Sequence, residues 1–385
     1  MTGTFARWTG LAVVLALTAC GSSPAASPPA PAATATATPA ETTSSDSPSA
    51  GKPLAGTPFL AEELGDFDEP WAMAFLPGGD ALITERGGRL KLRQADGRTI
   101  EVGGVPEVVA TGQGGLGDVL ASPAFATDRT VYLSWAAAGD GGTGAEVGRA
   151  VLVRDGDRAR LDDLRVIWRQ QPKTSGSGHY GHRLTFAPDG SHLFVTSGDR
   201  QKMTPAQDRG STLGKIIRMD PDGSDARIWT LGQRNPLGIA FDAAGNLWSS
   251  EMGPQGGDEL NLIVEGSNYG WPRVSNGSHY GGGNIPDHAP GDGFEAPKVW
   301  WNPSVSPGSL IVYSGAMFPQ WDGDAFIGAL SGQALIRVDL DGTSAAKADQ
   351  WDFGDRVREV EQAPDGSIWV LTDGSGGRLL RLTPA

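Results

Sequence analysis

Residues 176–199 read GSGHYGHRLTFAPDGSHLFVTSGD, and the fold of the whole chain can be worked out from this segment. Its second half predicts a β-hairpin, because apolar residues that alternate with polar ones flank the turn sequence Pro188-Asp189-Gly190. Its first half is a glycine-rich loop with two histidines, His179 and His182. Loops held by a rigid sheet often carry binding and catalytic residues. We therefore expect this loop to belong to a functional site at a sheet edge.

The same pattern of strand, turn and strand recurs along the chain, and no long stretch has helical periodicity. Repeats of about 40–60 residues, each forming a small antiparallel sheet, are typical of β-propellers. The sequence thus predicts an all-β fold, a six-bladed β-propeller of four-stranded antiparallel blades. A β-sandwich or two separate β-domains are the alternatives. The copies of the pattern lie at 71–92, 118–135, 182–199, 237–253, 310–330 and 357–384.

The charge of the chain excludes some classes of partner. The formal net charge is −14, from 45 acidic and 31 basic residues. Nucleic-acid-binding proteins carry a basic surface that neutralises phosphates, so we expect no nucleic-acid partner. The acidic balance also argues against a basic patch that would dock on anionic lipids.

The N-terminal segment, residues 1–20, is predicted to be a lipoprotein signal peptide. A short apolar core ends in Leu17-Thr18-Ala19-Cys20 followed by a glycine, which is the lipobox pattern of bacterial lipoproteins. Cys20 is the only cysteine, so internal disulfides are excluded. Acylation of Cys20 would anchor the protein to the bacterial cell membrane on its extracytoplasmic side. The alternative is an ordinary secretory signal with an incidental cysteine.

Two further regions follow this signal. Residues 21–57 are mostly Ser, Thr, Ala and Pro, and predict a disordered tether because they lack the large apolar residues that offset ordering entropy. Residues 58–385 are predicted to form the propeller, a catalytic domain long enough to bury a large core.

Four polar, glycine-rich loops occupy comparable positions in the repeat. In a propeller such loops meet near the axis, although they are distant in sequence. Together they supply a histidine, an amide, an Arg-Asn pair and two further arginines, and arginine suits carboxylates and planar anions. Each loop alone could equally be a turn or a surface strand. The four loops lie at 112–117, 178–183, 232–236 and 355–359.

The stretch EMGPQGGDELNLIVEGSNYGWP, residues 251–272, has a chemistry of its own. It is rich in carboxylates, amides and accessible backbone carbonyls, and it contains neither His nor Cys. Hard oxygen ligands in a flexible loop favour Ca²⁺ over Zn²⁺. The alternative is an acidic surface loop without a metal.

The stretches GHYGHRL, GQRNPLG and EMGPQGGDELNLIVEGSNYGWP together resemble the soluble PQQ-dependent aldose sugar dehydrogenases of the glucose/sorbosone dehydrogenase family. The resemblance covers about residues 60–384. It implies a six-bladed propeller that binds pyrroloquinoline quinone (PQQ) on its axis with Ca²⁺ beside the quinone. It also implies oxidation of aldose sugars at C1 to lactones, with electrons passed to an external acceptor.

The same resemblance implies roles for individual residues. His179 matches the base that takes the proton of the sugar C1 hydroxyl, and Asp199 matches the acid that orients this histidine. The residues implied to contact the cofactor or the substrate are Gln113, Arg234, Asn235, Arg356 and Arg358. The residues implied to hold calcium are Gly253 and Pro254 at the catalytic ion, and Glu259 and Tyr269 at a second, structural ion.

One position departs from the family. Where relatives usually carry a lysine that pairs with a PQQ carboxylate, this chain has Ser331. The departure predicts weaker cofactor binding. Two other functions remain open: a Ca²⁺-dependent lactonase-type hydrolase, for which Arg356 and Arg358 would have no use, and a non-catalytic surface lipoprotein that binds sugars, which Ser331 would suit.

Overall fold

The structure is a computed structural model in which residues 51–385 are described. The predictions for the signal peptide, for Cys20 and for most of the tether therefore lie outside the described residues. Within residues 51–385, no helix is long and apolar enough to cross a membrane.

The described chain is almost entirely strand and turn, which confirms the predicted all-β class. One short helix, α1 (Phe125–Asp128), and two 3₁₀ turns, Thr204–Gln207 and Pro319–Trp321, are the helical segments described. The strands are β1 (Lys52–Pro53), β2 (Phe59–Asp68), β3 (Pro70–Phe75), β4 (Ala81–Glu85), β5 (Arg89–Arg93), β6 (Thr99–Gly103), β7 (Leu116–Ala121), β8 (Thr130–Gly139), β9 (Gly142–Asp155), β10 (Arg158–Arg169), β11 (Gly181–Phe186), β12 (Leu193–Ser197), β13 (Lys215–Met219), β14 (Arg227–Leu231), β15 (Pro236–Phe241), β16 (Leu247–Glu251), β17 (Gln255–Gly256), β18 (Asp258–Ile263), β19 (Gly277–Ser278), β20 (Val299–Trp301), β21 (Ile311–Val312), β22 (Ala325–Ala329), β23 (Ala334–Asp341), β24 (Ser344–Asp352), β25 (Val357–Gln362), β26 (Ile368–Thr372) and β27 (Ser375–Pro384).

Local sequence explains why the hairpins form. Between β11 and β12, the backbone N–H of Gly190 donates to the carbonyl of Ala187 at 2.8 Å, and Gly190 has a φ of 70°. Glycine adopts this left-handed conformation without steric cost. The side chain of Asp189 accepts a hydrogen bond from the backbone N–H of Ser191 at 2.9 Å, which closes the turn.

Three sheets are four-stranded, in the orders β11-β12-β13-β14, β15-β16-β18-β20 and β21-β22-β23-β24. A fourth sheet has eight strands, because two antiparallel meanders, β3–β6 and β7–β10, are joined by a parallel pairing of β6 with β10. A fifth sheet, β1-β2-β27-β26-β25, joins the two ends of the described chain, and β17 pairs only with β19. Hydrogen bonding thus groups the strands differently from six separate sheets of four, and the six-blade count stays a prediction.

The first strands of the successive meanders contact one another in a closed cycle, β3 to β7, β11, β15, β21, β25 and back to β3. These six strands line a cavity of about 690 Å³. Arg183, in the middle of β11, lies among them: its guanidinium donates to the carbonyl oxygens of Leu237 and Gly308 at 2.8 and 2.6 Å and lies 2.6 Å from Oε2 of Glu359. The loop that carries His179 leads directly into this central strand.

Strand pairing begins before residue 58. Lys52 and Pro53 pair with Ala61 and Leu60 of β2, inside the range predicted to be a tether. Leu54, next in sequence, packs against the core cluster that contains Phe59. Composition alone does not show that a short polar segment can pair with a sheet edge.

Candidate active site

His179 and Asp199 lie together beside the start of β11. Nδ1 of His179 is 2.7 Å from Oδ1 of Asp199. Asp199 is fully buried and His179 is 7% exposed. The other carboxylate oxygen, Oδ2, accepts a hydrogen bond from the indole nitrogen of Trp271 at 2.8 Å, and the backbone N–H of Gln201 donates to Oδ1 at 2.8 Å. These donors hold the carboxylate in one orientation toward the histidine.

The surroundings of this pair decide its protonation. Burial raises the pKa of Asp199, but the hydrogen bonds from His179 and Trp271 outweigh this effect and the pKa lies below its usual value. Burial lowers the pKa of His179; the hydrogen bond to Asp199 opposes this effect, and the positive charge of Arg234 reinforces it. The lowered pKa favours the neutral imidazole at neutral pH. Because an ionised carboxylate can only accept, Nδ1 must donate to Asp199, and the lone pair then lies on Nε2.

The second histidine of the loop has a structural role. His182 is 1% exposed, its Nδ1 lies 2.8 Å from the hydroxyl of Ser134, and its ring stacks on Trp71 with centroids 4.9 Å apart. Burial lowers its pKa to about 3, and the charge of Arg183 adds to the effect. His182 is committed to the core and is not available as a base.

Three residues predicted to contact the cofactor or substrate lie around the His179–Asp199 pair. Oε1 of Gln113 accepts a hydrogen bond from the backbone N–H of His179 at 2.7 Å. The backbone carbonyl of Arg234 accepts one from the N–H of Asp199 at 2.8 Å. Asn235 follows directly and turns its Oδ1 toward the N–H of Gly181 at 3.3 Å. The structure thus brings together three loops that are separate in sequence.

The guanidinium of Arg234 has spare hydrogen-bonding capacity. Its NH1 donates to the carbonyl of Met252 at 2.8 Å, and its carbon lies 5.4 Å from the ring centroid of Trp271 and 5.8 Å from that of Tyr280. Its Nε is buried and has no partner among the described residues. A buried donor without a partner is costly, so this atom fits a ligand that brings an acceptor oxygen.

Two buried carboxylates face each other across β16 and β18, where Glu251 is paired with Glu259. They are 4% and 6% exposed. Oε2 of Glu251 accepts hydrogen bonds from the backbone N–H groups of Arg234 and Asn235 at 2.7 and 3.2 Å, and Oε2 of Glu259 accepts one from Asn261 at 3.0 Å. Burial raises the pKa of both, and the charge of Glu251 raises that of Glu259 further. Two such carboxylates fit a nearby cation.

The four residues predicted to hold calcium line one small cavity of about 10 Å³. The hydroxyl of Tyr269 donates to the carbonyl of Leu262 at 2.6 Å, so Tyr269 could serve a metal only through its backbone oxygen. No group of three or more His, Cys, Asp or Glu side chains in residues 51–385 is arranged to hold a metal. A cation here would need backbone carbonyls as well, which suits Ca²⁺. The residues lining this cavity include Gly253, Pro254, Glu259 and Tyr269.

The two arginines predicted to bind carboxylates lie together at the start of β25. Nε of Arg356 and Nε of Arg358 donate to the two carboxylate oxygens of Asp373 at 2.8 and 2.9 Å. The side chain of Arg356 is 48% exposed, so its remaining donors face solvent. No hydrogen bond or ion pair in the described chain joins these two arginines to His179.

Ser331, at the position of the expected lysine, is exposed and lies near the calcium loop. Its hydroxyl is 2.7 Å from that of Ser306, whose backbone N–H donates to Oδ2 of Asp258 at 2.6 Å. Oδ1 of the same Asp258 accepts a hydrogen bond from the N–H of Gly253 at 2.8 Å. The Ser331 side chain is therefore connected to the predicted calcium loop through hydrogen bonds.

Sequence reasoning missed Trp271. Its indole nitrogen holds Asp199, its ring flanks Arg234, and it lines the small cavity. The only signal was its place in the NYGWP end of the acidic stretch, since a tryptophan pattern does not show which partner its N–H has.

The chain is similar in sequence to a known family of proteins. The family model described as Glucose / Sorbosone dehydrogenase matches residues 67–381. The chain is 40% identical to the aldose sugar dehydrogenase YliI of Escherichia coli (strain K12), over 82% of this chain and 90% of the relative.

Two solved structures are similar in fold as well as in sequence. The apo-form of the soluble aldose sugar dehydrogenase of Escherichia coli has a TM-score of 0.79 at 38% identity, covering 85% of this chain and 100% of its own. The PQQ-bound aldose sugar dehydrogenase of Streptomyces coelicolor has a TM-score of 0.70 at 29% identity, covering 84% and 97%. The match extends over most of the described domain, including every loop of the site. The chain therefore belongs to the Glucose / Sorbosone dehydrogenase family, a family of oxidoreductases.

Proposed function

We propose that this protein oxidises aldose sugars at C1 to lactones with PQQ and Ca²⁺, and passes the electrons to an external acceptor. The observation that carries the proposal is the buried His179–Asp199 pair, in which Nδ1 faces the carboxylate and Nε2 is left to accept a proton. Membership of the family, and the PQQ-bound relative, support the same chemistry.

His179 and Asp199 would perform the proton transfer. Nε2 of His179 would take the proton of the sugar C1 hydroxyl, because Nδ1 already carries its proton toward Asp199. The ionised carboxylate would stabilise the imidazolium that forms, and the bond from Trp271 would keep it in place. Gln113, whose Oε1 accepts a hydrogen bond from the backbone N–H of His179, would hold the loop in place where the sugar binds.

The chemistry that PQQ supplies when bound is the uptake of hydride from the sugar carbon. Arg234 and Asn235 would contact its quinone oxygens, and the unpartnered Nε of Arg234 supports this assignment. Arg356 and Arg358 would bind its carboxylates, since each keeps guanidinium donors beyond those used by Asp373.

Calcium would bind at the loop 253–259. The carbonyl oxygens of Gly253 and Pro254 would serve the ion beside the cofactor, and Glu259 with the backbone of Tyr269 would serve a second, structural ion. The buried and adjacent carboxylates of Glu251 and Glu259 support a cation in this region.

The proposal extends to the scaffold. We infer a six-bladed propeller of four-stranded blades, supported by the closed cycle of contacts among six first strands. In this arrangement the eight-stranded sheet contributes two blades, and β2 with β25–β27 forms the blade that joins the two ends of the domain.

We also propose that the protein is a lipoprotein, anchored through Cys20 to the outside of the bacterial cell membrane. The support is the sequence Leu17-Thr18-Ala19-Cys20. Fractionation of cells that express wild type and Cys20→Ala, with mass spectrometry of the N-terminal peptide, tests it. An unacylated N-terminus in the wild type would contradict the anchor.

Reconstitution tests the activity. Added PQQ and Ca²⁺ should give reduction of an electron-accepting dye with aldoses, and omission of PQQ should abolish it. Hydrolysis of lactones with Ca²⁺ alone would favour the lactonase instead. Sugar binding by calorimetry without turnover under either condition would favour a binding protein.

A further inference from the structure

Arg200, the residue after Asp199, is hydrogen-bonded to the loop that carries His179. Arg200 is fully buried. Its NH1 donates to the carbonyl oxygen of Gly178, and its NH2 donates to the carbonyl of Gly176 at 2.8 Å and to the hydroxyl of Thr143 at 2.7 Å. One guanidinium therefore donates hydrogen bonds to two backbone carbonyls in the glycine-rich segment that precedes His179.

The same guanidinium also contacts the residue that follows His179. Its carbon lies 3.7 Å from the ring centroid of Tyr180, whose hydroxyl is 2.8 Å from Oγ1 of Thr143. The backbone N–H of Arg200 donates to the carbonyl of His179 at 3.1 Å. The residues on both sides of the histidine are thus held by one side chain, which is covalently next to Asp199.

The conformation of the loop explains why these contacts of Arg200 are needed. His179 has a φ of 52°, a left-handed conformation that non-glycine residues rarely adopt. Such a conformation persists when the surrounding contacts impose it. The glycines before His179 allow many other conformations, so the local sequence alone does not select this one.

We propose that Arg200 is a positioning residue, whose guanidinium holds residues 176–180 so that Nδ1 of His179 stays on Asp199. This inference rests on the proposed function only for its effect on turnover. Arg200 also acts through its charge. The charged groups that act on His179 are Asp199, Arg234 and Arg200; Asp199 raises the pKa of the imidazole, and the two arginines lower it. A lysine would keep the charge, but it lacks the planar fork that reaches several acceptors and stacks on a ring.

Two substitutions separate these contributions, Arg200→Lys and Arg200→Met. The matched control is Arg93→Met, because Arg93 is also buried and lies 5.2 Å over a ring, that of Trp369, in another sheet. The pKa of His179 is measured by NMR on histidine-labelled protein without PQQ, and kcat and KM are measured after reconstitution with PQQ and Ca²⁺. Melting temperature is recorded for every variant.

We expect Arg200→Lys to lower the pKa of His179, because the positive charge is kept while the hydrogen bond to Asp199, which raises this pKa, is weakened. Arg200→Met also removes the charge, so the pKa of His179 should be higher in Arg200→Met than in Arg200→Lys. Both should lower kcat about tenfold or more with KM changed less than about threefold, as misplacement of a reacting group does. Arg93→Met should change only the melting temperature. Full turnover in folded Arg200→Lys would overturn the proposal, and so would a wild-type pKa of His179 in that variant.

If Arg200→Met does not fold, the turnover of Arg200→Lys decides alone. If wild type oxidises no aldose, the proposed function fails while the PQQ-free titrations still test the positioning role. In that case, a line width and titration of the His179 signal in Arg200→Lys identical to wild type would overturn it, and a second or broadened His179 signal would support it.

Discussion

The indole nitrogen of Trp271 donates a hydrogen bond to Oδ2 of Asp199 at 2.8 Å, while Oδ1 of the same carboxylate lies 2.7 Å from Nδ1 of His179. Tryptophan, carboxylate and imidazole thus form one chain of hydrogen bonds. The tryptophan ring also flanks Arg234, so one side chain contacts both the proposed proton-transfer pair and the proposed cofactor-binding arginine.

Trp271→Phe should lower kcat about tenfold with little change in KM. The phenyl ring keeps most of the packing, but Oδ2 of Asp199 loses its indole donor and the carboxylate can turn away from His179. Trp248→Phe is the matched control, because Trp248 also donates from a buried indole to a carboxylate, that of Asp242, at 3.0 Å. Equal kcat values for wild type and Trp271→Phe would show that Asp199 needs no support from the indole.

His179→Gln should retain the fold and PQQ binding and lose about 10²–10⁴-fold in turnover, the usual contribution of a general base. His182→Gln should instead lower the melting temperature, because His182 is packed against Trp71 and Ser134. Steady-state kinetics and thermal melts of the two variants check this contrast. Near-normal turnover in His179→Gln would refute the assignment of the base.

Acid should destabilise the protein through His182. Its pKa is about 3 in the folded state and ordinarily 6.5, so the unfolded chain takes up the proton first as the pH falls. The stabilising contribution is full above about pH 6.5 and is lost progressively toward pH 3, by about 1.4 kcal/mol for each pH unit. Buried carboxylates such as Glu359, whose pKa burial raises to about 8, act in the opposite sense.

Because other groups also titrate, the test compares wild type with His182→Gln. The free energy of unfolding of each protein is measured in urea at pH 7 and at pH 4.5. The free energy of unfolding should fall more with acidification in the wild type than in the variant. Parallel pH dependences would mean that His182 is protonated in the folded state.

Chelation should lower both the melting temperature and the PQQ-dependent rate, and Ca²⁺ should restore them where Mg²⁺ does not, because irregular carbonyl coordination suits the larger ion. Glu259→Gln should weaken this response, since it removes a buried carboxylate beside the cavity. Glu265→Gln, on the same stretch but 58% exposed, should behave as wild type. A melting temperature that chelation does not change would mean that residues 251–269 form an acidic loop without a metal.

Ser331→Lys should tighten PQQ binding about tenfold or more with little change in kcat at saturation. A charge-assisted hydrogen bond contributes about 1.5–3 kcal/mol, and each 1.4 kcal/mol is a factor of ten in the dissociation constant. Ser331→Ala is the control and should bind PQQ as the wild type does. Titration of PQQ into the three proteins measures this. Equal affinity of wild type and Ser331→Lys would mean that position 331 does not face a cofactor carboxylate.

The sequence by itself determined the strands and turns of this protein. Alternation of apolar residues around Pro-Asp-Gly turns is a local property, and it placed β11, β12 and the hairpin between them. The residue types of the glycine-rich loops likewise indicated which segments carry the site, since bases, amides and arginines are recognisable one residue at a time.

Only the tertiary structure decided which of these groups meet. Trp271 and Asp199 are separated by 72 residues, so their hydrogen bond depends on how two sheets are placed. The roles of the two loop histidines also diverge for this reason: neighbouring sheets bury His182 against Trp71 and leave His179 beside Asp199. The parallel pairing of β6 with β10 arises in the same way. Contacts between distant segments depend on packing of the whole domain, which no local pattern records.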